Sequence, residues 1–221
     1  MTVRSQAEAA PPVQAVIFDC DGTLVDSESI GTALLAEHFS AFGLTLTAEE
    51  AFAAYRGRKL AECMAEVEER LGRRLPESFI PEFRAASAEA FRTRLRAIEG
   101  ALDLVASLSL PICVASNGPR DKIELCLSVT GLLPYFEGRI FSAYDVGSWK
   151  PEPGLFLHAA RALDVDPADC LVVEDSPVGV AAAQAAGMRV VAYVPAGAHD
   201  AGMAGVPVVA TLGEIAAHLN R

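Results

Sequence analysis

Four acidic residues lie at the ends of short apolar runs and have side chains that act as nucleophiles, proton carriers or metal ligands. Asp19 and Asp21 are separated by one residue and followed by Gly22, and Glu174 and Asp175 are adjacent. Carboxylates that gather in one place raise each other's pKa unless a cation neutralises them. An oxygen-only ligand set of this kind suits a hard ion such as Mg²⁺.

A second group of residues supplies donors that complement an anion. Ser116 and Asn117 follow another apolar run, Lys150 precedes a proline, and the turn at Gly22 offers backbone N–H groups. Such donors hold phosphate oxygens. A Mg²⁺ ion that keeps some of its waters usually shares its coordination with substrate phosphate. The two groups together predict phosphoryl transfer, in which positioning and charge neutralisation supply most of the catalysis.

The elements that must position these groups are short strands. Apolar, β-branched runs at 13–18, 111–115, 140–142, 170–173 and 190–193 alternate with helical patterns at 101–108, 120–130, 153–163 and 178–186. Alternation of this kind predicts an α/β fold: a Rossmann-like parallel sheet covered by helices. Functional groups of such sheets gather at the carboxyl ends of the strands, where every polar group named above lies.

The stretch at 29–96 has a different character. Helical patterns near 47–55, 60–71 and 78–95 follow a first helix that stops at Gly43, and no strand pattern interrupts them. We therefore predict a core formed by 13–28 and 97–221, with a helical cap at 29–96 inserted after the first strand. Residues 1–12 are predicted to be a mobile tail.

Four segments now carry a family resemblance. Residues 18–28 (FDCDGTLVDSE), 115–118 (ASNG), 149–153 (WKPEP) and 172–176 (VVEDS) resemble, in order, the four motifs of the haloacid dehalogenase-like phosphatases with a helical cap. The β-phosphoglucomutase-like branch is similar throughout. The details SNGP at 116–119 and WKP at 149–151 are similar to bacterial 6-phosphogluconate phosphatases.

The resemblance implies a role for each candidate residue. Asp19 would be the nucleophile that becomes an aspartyl phosphate, and Asp21 would protonate the leaving alcohol and then activate water. The residues that would hold the phosphoryl group are Ser116, Asn117, Lys150 and Gly22. The residues that would hold Mg²⁺ are Asp19, the backbone carbonyl of Asp21, and Asp175, with Glu174 in support through water.

The expected reaction is Mg²⁺-dependent hydrolysis of a small phosphorylated sugar or sugar acid, 6-phosphogluconate among them. A phosphosugar mutase is the alternative. In that branch a histidine follows a hinge threonine by four positions, whereas this chain has Ser27 and Gly31 there, which favours the hydrolase. The third hypothesis is a sensor that binds a phosphorylated metabolite without catalysis. Such a sensor would not need Asp21 as an acid and base.

Substrate choice is expected to come from the cap. The basic turn at 55–59 joins two predicted helices, and in related caps the corresponding loop points into the active site. We therefore predict that Arg58 or Lys59, and also Arg56, contact a hydroxyl or carboxylate of the substrate. Solvated cations at helix ends are the competing interpretation.

Composition excludes several classes of function. The chain has 221 residues and a net charge of −11, which counts against nucleic acid and anionic membranes as partners. Its five cysteines are scattered without metal-site or disulfide spacing, and no apolar run is long enough to span a bilayer. We expect a cytoplasmic enzyme, monomeric or weakly homo-oligomeric, whose partner is a small phosphate ester.

Overall fold

A parallel sheet forms the centre of the computed structural model, which describes residues 12–196, 203 and 205–219. Its strands are β1 (Ala15–Phe18), β2 (Ile112–Ser116), β3 (Ile140–Ser142), β4 (Cys170–Glu174), β5 (Arg189–Tyr193) and β6 (Val208–Val209). They lie in the order β3-β2-β1-β4-β5-β6, and every neighbouring pair is parallel. The carboxyl ends of β2, β1 and β4 are therefore side by side.

Both faces of the sheet are buried, which explains why its strands are continuous apolar runs. In β1, Val16 and Phe18 pack into one apolar cluster, and Ala15 and Ile17 pack into the cluster on the opposite face. The helices between Gly100 and β5 are α5 (Ala101–Ser107), α6 (Arg120–Val129), α7 (Ala143–Val146), α8 (Gly154–Ala162) and α9 (Pro177–Ala185). The predicted α/β fold with a parallel, Rossmann-like sheet is confirmed.

Four helices lie between β1 and α5. They are α1 (Glu28–Ser40), α2 (Ala48–Tyr55), α3 (Leu60–Leu71) and α4 (Phe79–Arg94). Thr47 begins α2 with a capping box, in which its hydroxyl accepts the N–H of Glu50 and the Glu50 carboxylate accepts the N–H of Thr47. The four helices share an apolar cluster of their own, in which the Phe39 ring stacks on Phe79 at 5.4 Å between centroids.

The chain enters and leaves this helical segment through two paired linkers. The N–H of Asp26 donates to the carbonyl of Arg96 at 3.0 Å, and the N–H of Ile98 donates to the carbonyl of Leu24 at 2.9 Å. The pairing places the end of the first linker beside the start of the second. The two linkers of the helical segment therefore leave and rejoin the sheet region side by side.

Some elements differ from the sequence-based expectation. The strand predicted from residue 13 begins at Ala15, and α7 follows β3 directly where no helix was predicted. The two-residue strand β6 and the 3₁₀ helix Leu212–His218 were also not predicted, because both are too short to show a periodicity. The predicted tail falls almost wholly on residues 1–11, which lie outside the described residues. Among the helices described, none is long and apolar enough to cross a membrane.

We predict that Phe39→Ala lowers the free energy of unfolding by about 3–5 kcal/mol, because it removes a fully buried ring from the centre of the helical cluster. Urea unfolding followed by circular dichroism measures the change. Leu102→Ala, at a side chain that is 40% exposed, is the control and is expected to alter stability little. A loss below about 1 kcal/mol for Phe39→Ala would contradict the packing described.

Candidate active site

The ammonium group of Lys150 lies between two carboxylates at the carboxyl edge of the sheet. Its Nζ is 2.5 Å from Oδ1 of Asp19, which directly follows β1, and 2.6 Å from Oε1 of Glu174, the last residue of β4. All three side chains are buried. Burial raises the pKa of Asp19 well above its usual value, against the lowering effect of Lys150. Burial by itself would lower the pKa of Lys150, but the two carboxylates raise it.

Asn117 fixes the backbone that carries this lysine. Its Oδ1 accepts the N–H of Lys150 at 2.9 Å, and its Nδ2 donates to the carbonyl of Lys150 at 3.3 Å. Asn117, which was predicted to bind phosphate, lines the same cavity and is engaged with the backbone of Lys150 through both polar atoms of its side chain. Ser116, at the end of β2, is buried, and its Oγ accepts the N–H of Gly118 at 3.0 Å.

Glu174 is held on its other side by the start of α9. Its Oε2 accepts both the N–H and the hydroxyl of Ser176 at 2.8 Å. A Cβ on Gly179 would lie 1.8 Å from Oε1 of Glu174, so only glycine allows α9 to approach this carboxylate. Both oxygens of Glu174 are thus engaged, which favours a supporting role for it over direct binding of a metal.

Asp175 lies against the turn that follows β1. Gly22 has a φ of +83°, and a Cβ there would lie 2.3 Å from Oδ2 of Asp175, so the close approach requires glycine. The N–H of Gly22 donates to the carbonyl of Val25 at 2.9 Å, which engages the backbone donor predicted to hold phosphate. Arg56, from the loop after α2, donates to Oδ2 of Asp175 at 2.7 Å. Burial and the neighbouring Glu174 raise the pKa of Asp175 to about 7, against the lowering effect of Arg56.

Asp21 is bound by two donors on one oxygen. The hydroxyl of Ser27 donates to its Oδ1, and Nζ of Lys122 lies 2.9 Å from the same atom. Burial acts to raise the pKa of Asp21, but Lys122 and Ser27 outweigh it and leave the pKa below its usual value. Lys122 was not among the candidates from the sequence, because it lies within α6 and belongs to no motif.

These groups share a cavity of about 1210 Å³ between the sheet edge and the helical segment. The predicted residues of the basic loop, Arg56, Arg58 and Lys59, all line it. Arg58 is paired with Glu66 on α3 at 2.8 Å, whereas Arg56 alone of the three contacts a carboxylate of the sheet edge among the described ion pairs. The structure thus brings Arg56 furthest into the site.

The chain is similar to known proteins both in sequence and in fold. A family model described as haloacid dehalogenase-like hydrolase matches residues 13–187. The chain belongs to this family. It is 41% identical over 179 residues to the 6-phosphogluconate phosphatase of Escherichia coli strain K12, a match that covers 80% of this chain and 81% of the relative. The predicted membership of the haloacid dehalogenase-like hydrolases is confirmed.

Two solved structures extend the likeness. A haloacid dehalogenase-like protein of unknown function from Agrobacterium tumefaciens superimposes with a TM-score of 0.81 at 30% identity, covering 93% of this chain and 97% of its own. A family hydrolase from Deinococcus radiodurans, with bound phosphate and sodium, gives a TM-score of 0.78 at 30% identity, covering 94% and 95%. The helical segment of this hydrolase is included in both overlaps, since each covers more than nine-tenths of the chain.

The donor set of the hydrolase fits a hard cation, although the carboxylates are paired with protein cations. Within the described residues, no group of three or more His, Cys, Asp or Glu side chains is arranged to hold a metal ion. Lys150 binds Asp19 and Glu174, and Arg56 binds Asp175. The four predicted carboxylates nevertheless line one cavity. Their oxygen atoms and the close approach of Gly22 to Asp175 are what a Mg²⁺ site requires.

We predict that Asp175 makes the metal-free protein less stable as the pH rises. Its pKa is about 7 in the folded chain and near 4 in the unfolded chain, so its contribution to stability is lost as the pH rises from about 4 to 7. Asp175→Asn is therefore expected to gain stability relative to the parent between pH 5 and pH 8. Urea unfolding in the presence of a chelator measures both proteins.

The matched control is Asp145→Asn, which alters an exposed carboxylate that pairs with Arg120 at 2.7 Å. Its stability relative to the parent is expected to stay nearly constant over the same range. A pH-independent difference between Asp175→Asn and the parent would show that Asp175 has an ordinary pKa.

Proposed function

We propose that this hydrolase cleaves small phosphate monoesters in two steps through an aspartyl phosphate on Asp19. The observation that carries the proposal is the buried contact of Lys150 with Asp19, with Ser116 and Asp21 lining the same cavity. A carboxylate nucleophile, a cation beside it and a second carboxylate two residues further on are the groups that this chemistry needs.

In the first step an oxygen of the Asp19 carboxylate attacks phosphorus, and the bond from phosphorus to the ester oxygen breaks. The leaving oxygen takes the electron pair of that bond and a proton from Asp21. In the second step a water gives a proton to Asp21 as its oxygen attacks phosphorus, and the bond to Asp19 breaks. Lys150 and the hydroxyl of Ser116 stabilise the charge on the transferring group.

Asp19, the backbone carbonyl of Asp21, and Asp175 would hold Mg²⁺, with Glu174 supporting them. When bound, the ion would neutralise charge on the phosphoryl oxygens. Arg56 is the side chain that pairs with Asp175 in its place. The expected cofactor is supported by the oxygen-only donors and by the phosphate and sodium in the Deinococcus structure.

For the substrate we propose a phosphorylated sugar or sugar acid, 6-phosphogluconate first. The support is the 41% identity to the Escherichia coli enzyme and the cationic loop over the cavity. We propose further that the segment 29–96 acts as a cap whose contacts select the substrate. Gly31 lines the cavity with open space around it, so the position that carries a histidine in the mutases has no proton-carrying group here.

We predict that Asp19→Asn abolishes turnover, by at least about 10³-fold, while the far-UV circular dichroism stays that of the parent, because the amide is not a nucleophile. The assay is phosphate release with Mg²⁺ from sugar phosphates and sugar-acid phosphates, including 6-phosphogluconate. Asp145→Asn is the control and is expected to keep the parent rate.

The same assay separates the alternatives. Free phosphate indicates hydrolysis, an isomeric sugar phosphate indicates a mutase, and tight binding without either product indicates a sensor. An Asp19→Asn protein that hydrolyses phosphate esters at the parent rate would overturn the mechanism.

We predict that Arg58→Ala and Lys59→Ala, made singly, lower kcat/KM for the preferred substrate about tenfold and change the order of preference among sugar phosphates. Their side chains line the cavity from the loop that follows α2. Arg56→Ala is expected to have the larger effect, because Arg56 reaches the sheet edge. If kcat/KM is unaltered across the panel for Arg58→Ala and Lys59→Ala, these two residues do not select the substrate.

A further inference from the structure

Lys122 is a cation of the cavity to which neither the motifs nor the proposed mechanism gives a role. It lies in the first turn of α6, and its side chain is 33% exposed. Its Nζ is 2.9 Å from Oδ1 of Asp21. The mechanism requires Asp21 to donate a proton to the leaving oxygen in the first step and to accept one from water in the second. The orientation of this carboxylate therefore decides whether either transfer occurs.

The hydrogen bonds described for Asp21 all fall on one of its two oxygens. Ser27 and Lys122 both donate to Oδ1. Oδ2 instead faces Gly118: a Cβ built there would lie 3.6 Å from Oδ2 and 3.4 Å from Oγ of Ser116. Oδ2 and the Ser116 hydroxyl thus border the same space, where the phosphoryl group is proposed to bind.

Lys122 also contacts the helical segment. Its Nζ lies 5.8 Å from the centroid of the Phe91 ring, on α4 near the point where the chain returns to the sheet. Ser27, the other donor to Asp21, lies in the first linker. Both donors to Oδ1, Ser27 and Lys122, therefore lie where the helical segment joins the sheet region, beside the cavity.

We infer that Lys122 is a positioning residue, which together with Ser27 holds Oδ1 of Asp21 so that Oδ2 points at the leaving oxygen and at the attacking water. The inference rests on the proposed function. It predicts that loss of Lys122 impairs each step that uses Asp21 for proton transfer and spares a step that does not.

A simple surface ion pair would behave differently. A lysine whose only role is to pair with a carboxylate would leave the rate of catalysis unchanged when it is removed. A substrate-binding lysine would raise KM on removal and leave kcat nearly constant. The positioning role therefore has its own signature, a fall in kcat with little change in KM.

The first test compares Lys122→Met, which keeps most of the length of the side chain, with Lys122→Arg. For the preferred phosphate ester with Mg²⁺, we expect kcat of Lys122→Met to fall about 100-fold with KM changed less than threefold. Lys122→Arg keeps a donor and is expected to recover at least a tenth of the parent kcat. Glu124→Gln, at an exposed side chain on the same helix, is the control and is expected to match the parent.

The second test uses p-nitrophenyl phosphate, whose leaving group departs without a proton. Formation of the aspartyl phosphate then makes no demand on Asp21, whereas its hydrolysis still does. In stopped-flow measurements Lys122→Met is expected to release one p-nitrophenolate per site in a rapid burst and then to turn over slowly. A variant that is merely misfolded would lose the burst in proportion to its steady rate.

Three results would overturn the inference. They are a kcat of Lys122→Met within threefold of the parent, a rise in KM at constant kcat, and a loss of rate in which burst and steady phase fall together. If the parent releases phosphate from no ester of the panel, the proposed function fails and the role of Lys122 fails with it. An active parent with an unaffected variant removes the role of Lys122 alone.

Discussion

The buried ammonium of Lys150, shared between Asp19 and Glu174, sets conditions that the surrounding structure must meet. Removing a charged group from water costs several kcal/mol for each ion, and only short, well-directed contacts offset that cost. The contacts of 2.5 and 2.6 Å depend on three separate segments. The register of β1 and β4, with Phe18 opposite Val173, brings the two carboxylates together, and Asn117 holds the loop that carries the lysine.

Charge balance organises the rest of the site in the same way. Four carboxylates at this edge face three protein cations, Lys150, Arg56 and Lys122. Two of these cations belong to the sheet region, and Arg56 belongs to the helical segment. The pair of Arg56 with Asp175 therefore joins the helical segment to the sheet edge. The net charge of −11 conveys none of this, since it says nothing about where the charges lie.

Much of the fold was predictable because its signals are local. Helices such as α3, predicted at 60–71 and observed as Leu60–Leu71, have a clear apolar period and a glycine stop. Strands that are buried on both faces are continuous apolar runs, so β1, β2 and β4 were found within two residues. The residues predicted to do chemistry from their motifs, such as Asp19 and Lys150, do meet in one cavity.

What the sequence did not reveal depends on contacts between distant segments. In the sequence, Lys122 is an ordinary charged residue of an amphipathic helix. The folded structure is needed to show that its Nζ lies beside Asp21. The contact of Asn117 with the backbone of Lys150 has no local signal either, because the two residues are 33 positions apart. Arg56 ranked behind its two basic neighbours, because no local pattern shows which of three cations in one loop reaches furthest.

The paired linkers have a consequence for how the helical segment affects the site. Because residues 24–26 and 96–98 hydrogen-bond to each other, the two ends of the helical segment are neighbours in space, as the ends of a hairpin are. The pairing of β1 with β2 and β4 involves no residue of this segment. A substitution inside the helical segment therefore affects the reacting groups through side-chain contacts, such as Arg56 with Asp175 and Phe91 with Lys122, and not through the sheet.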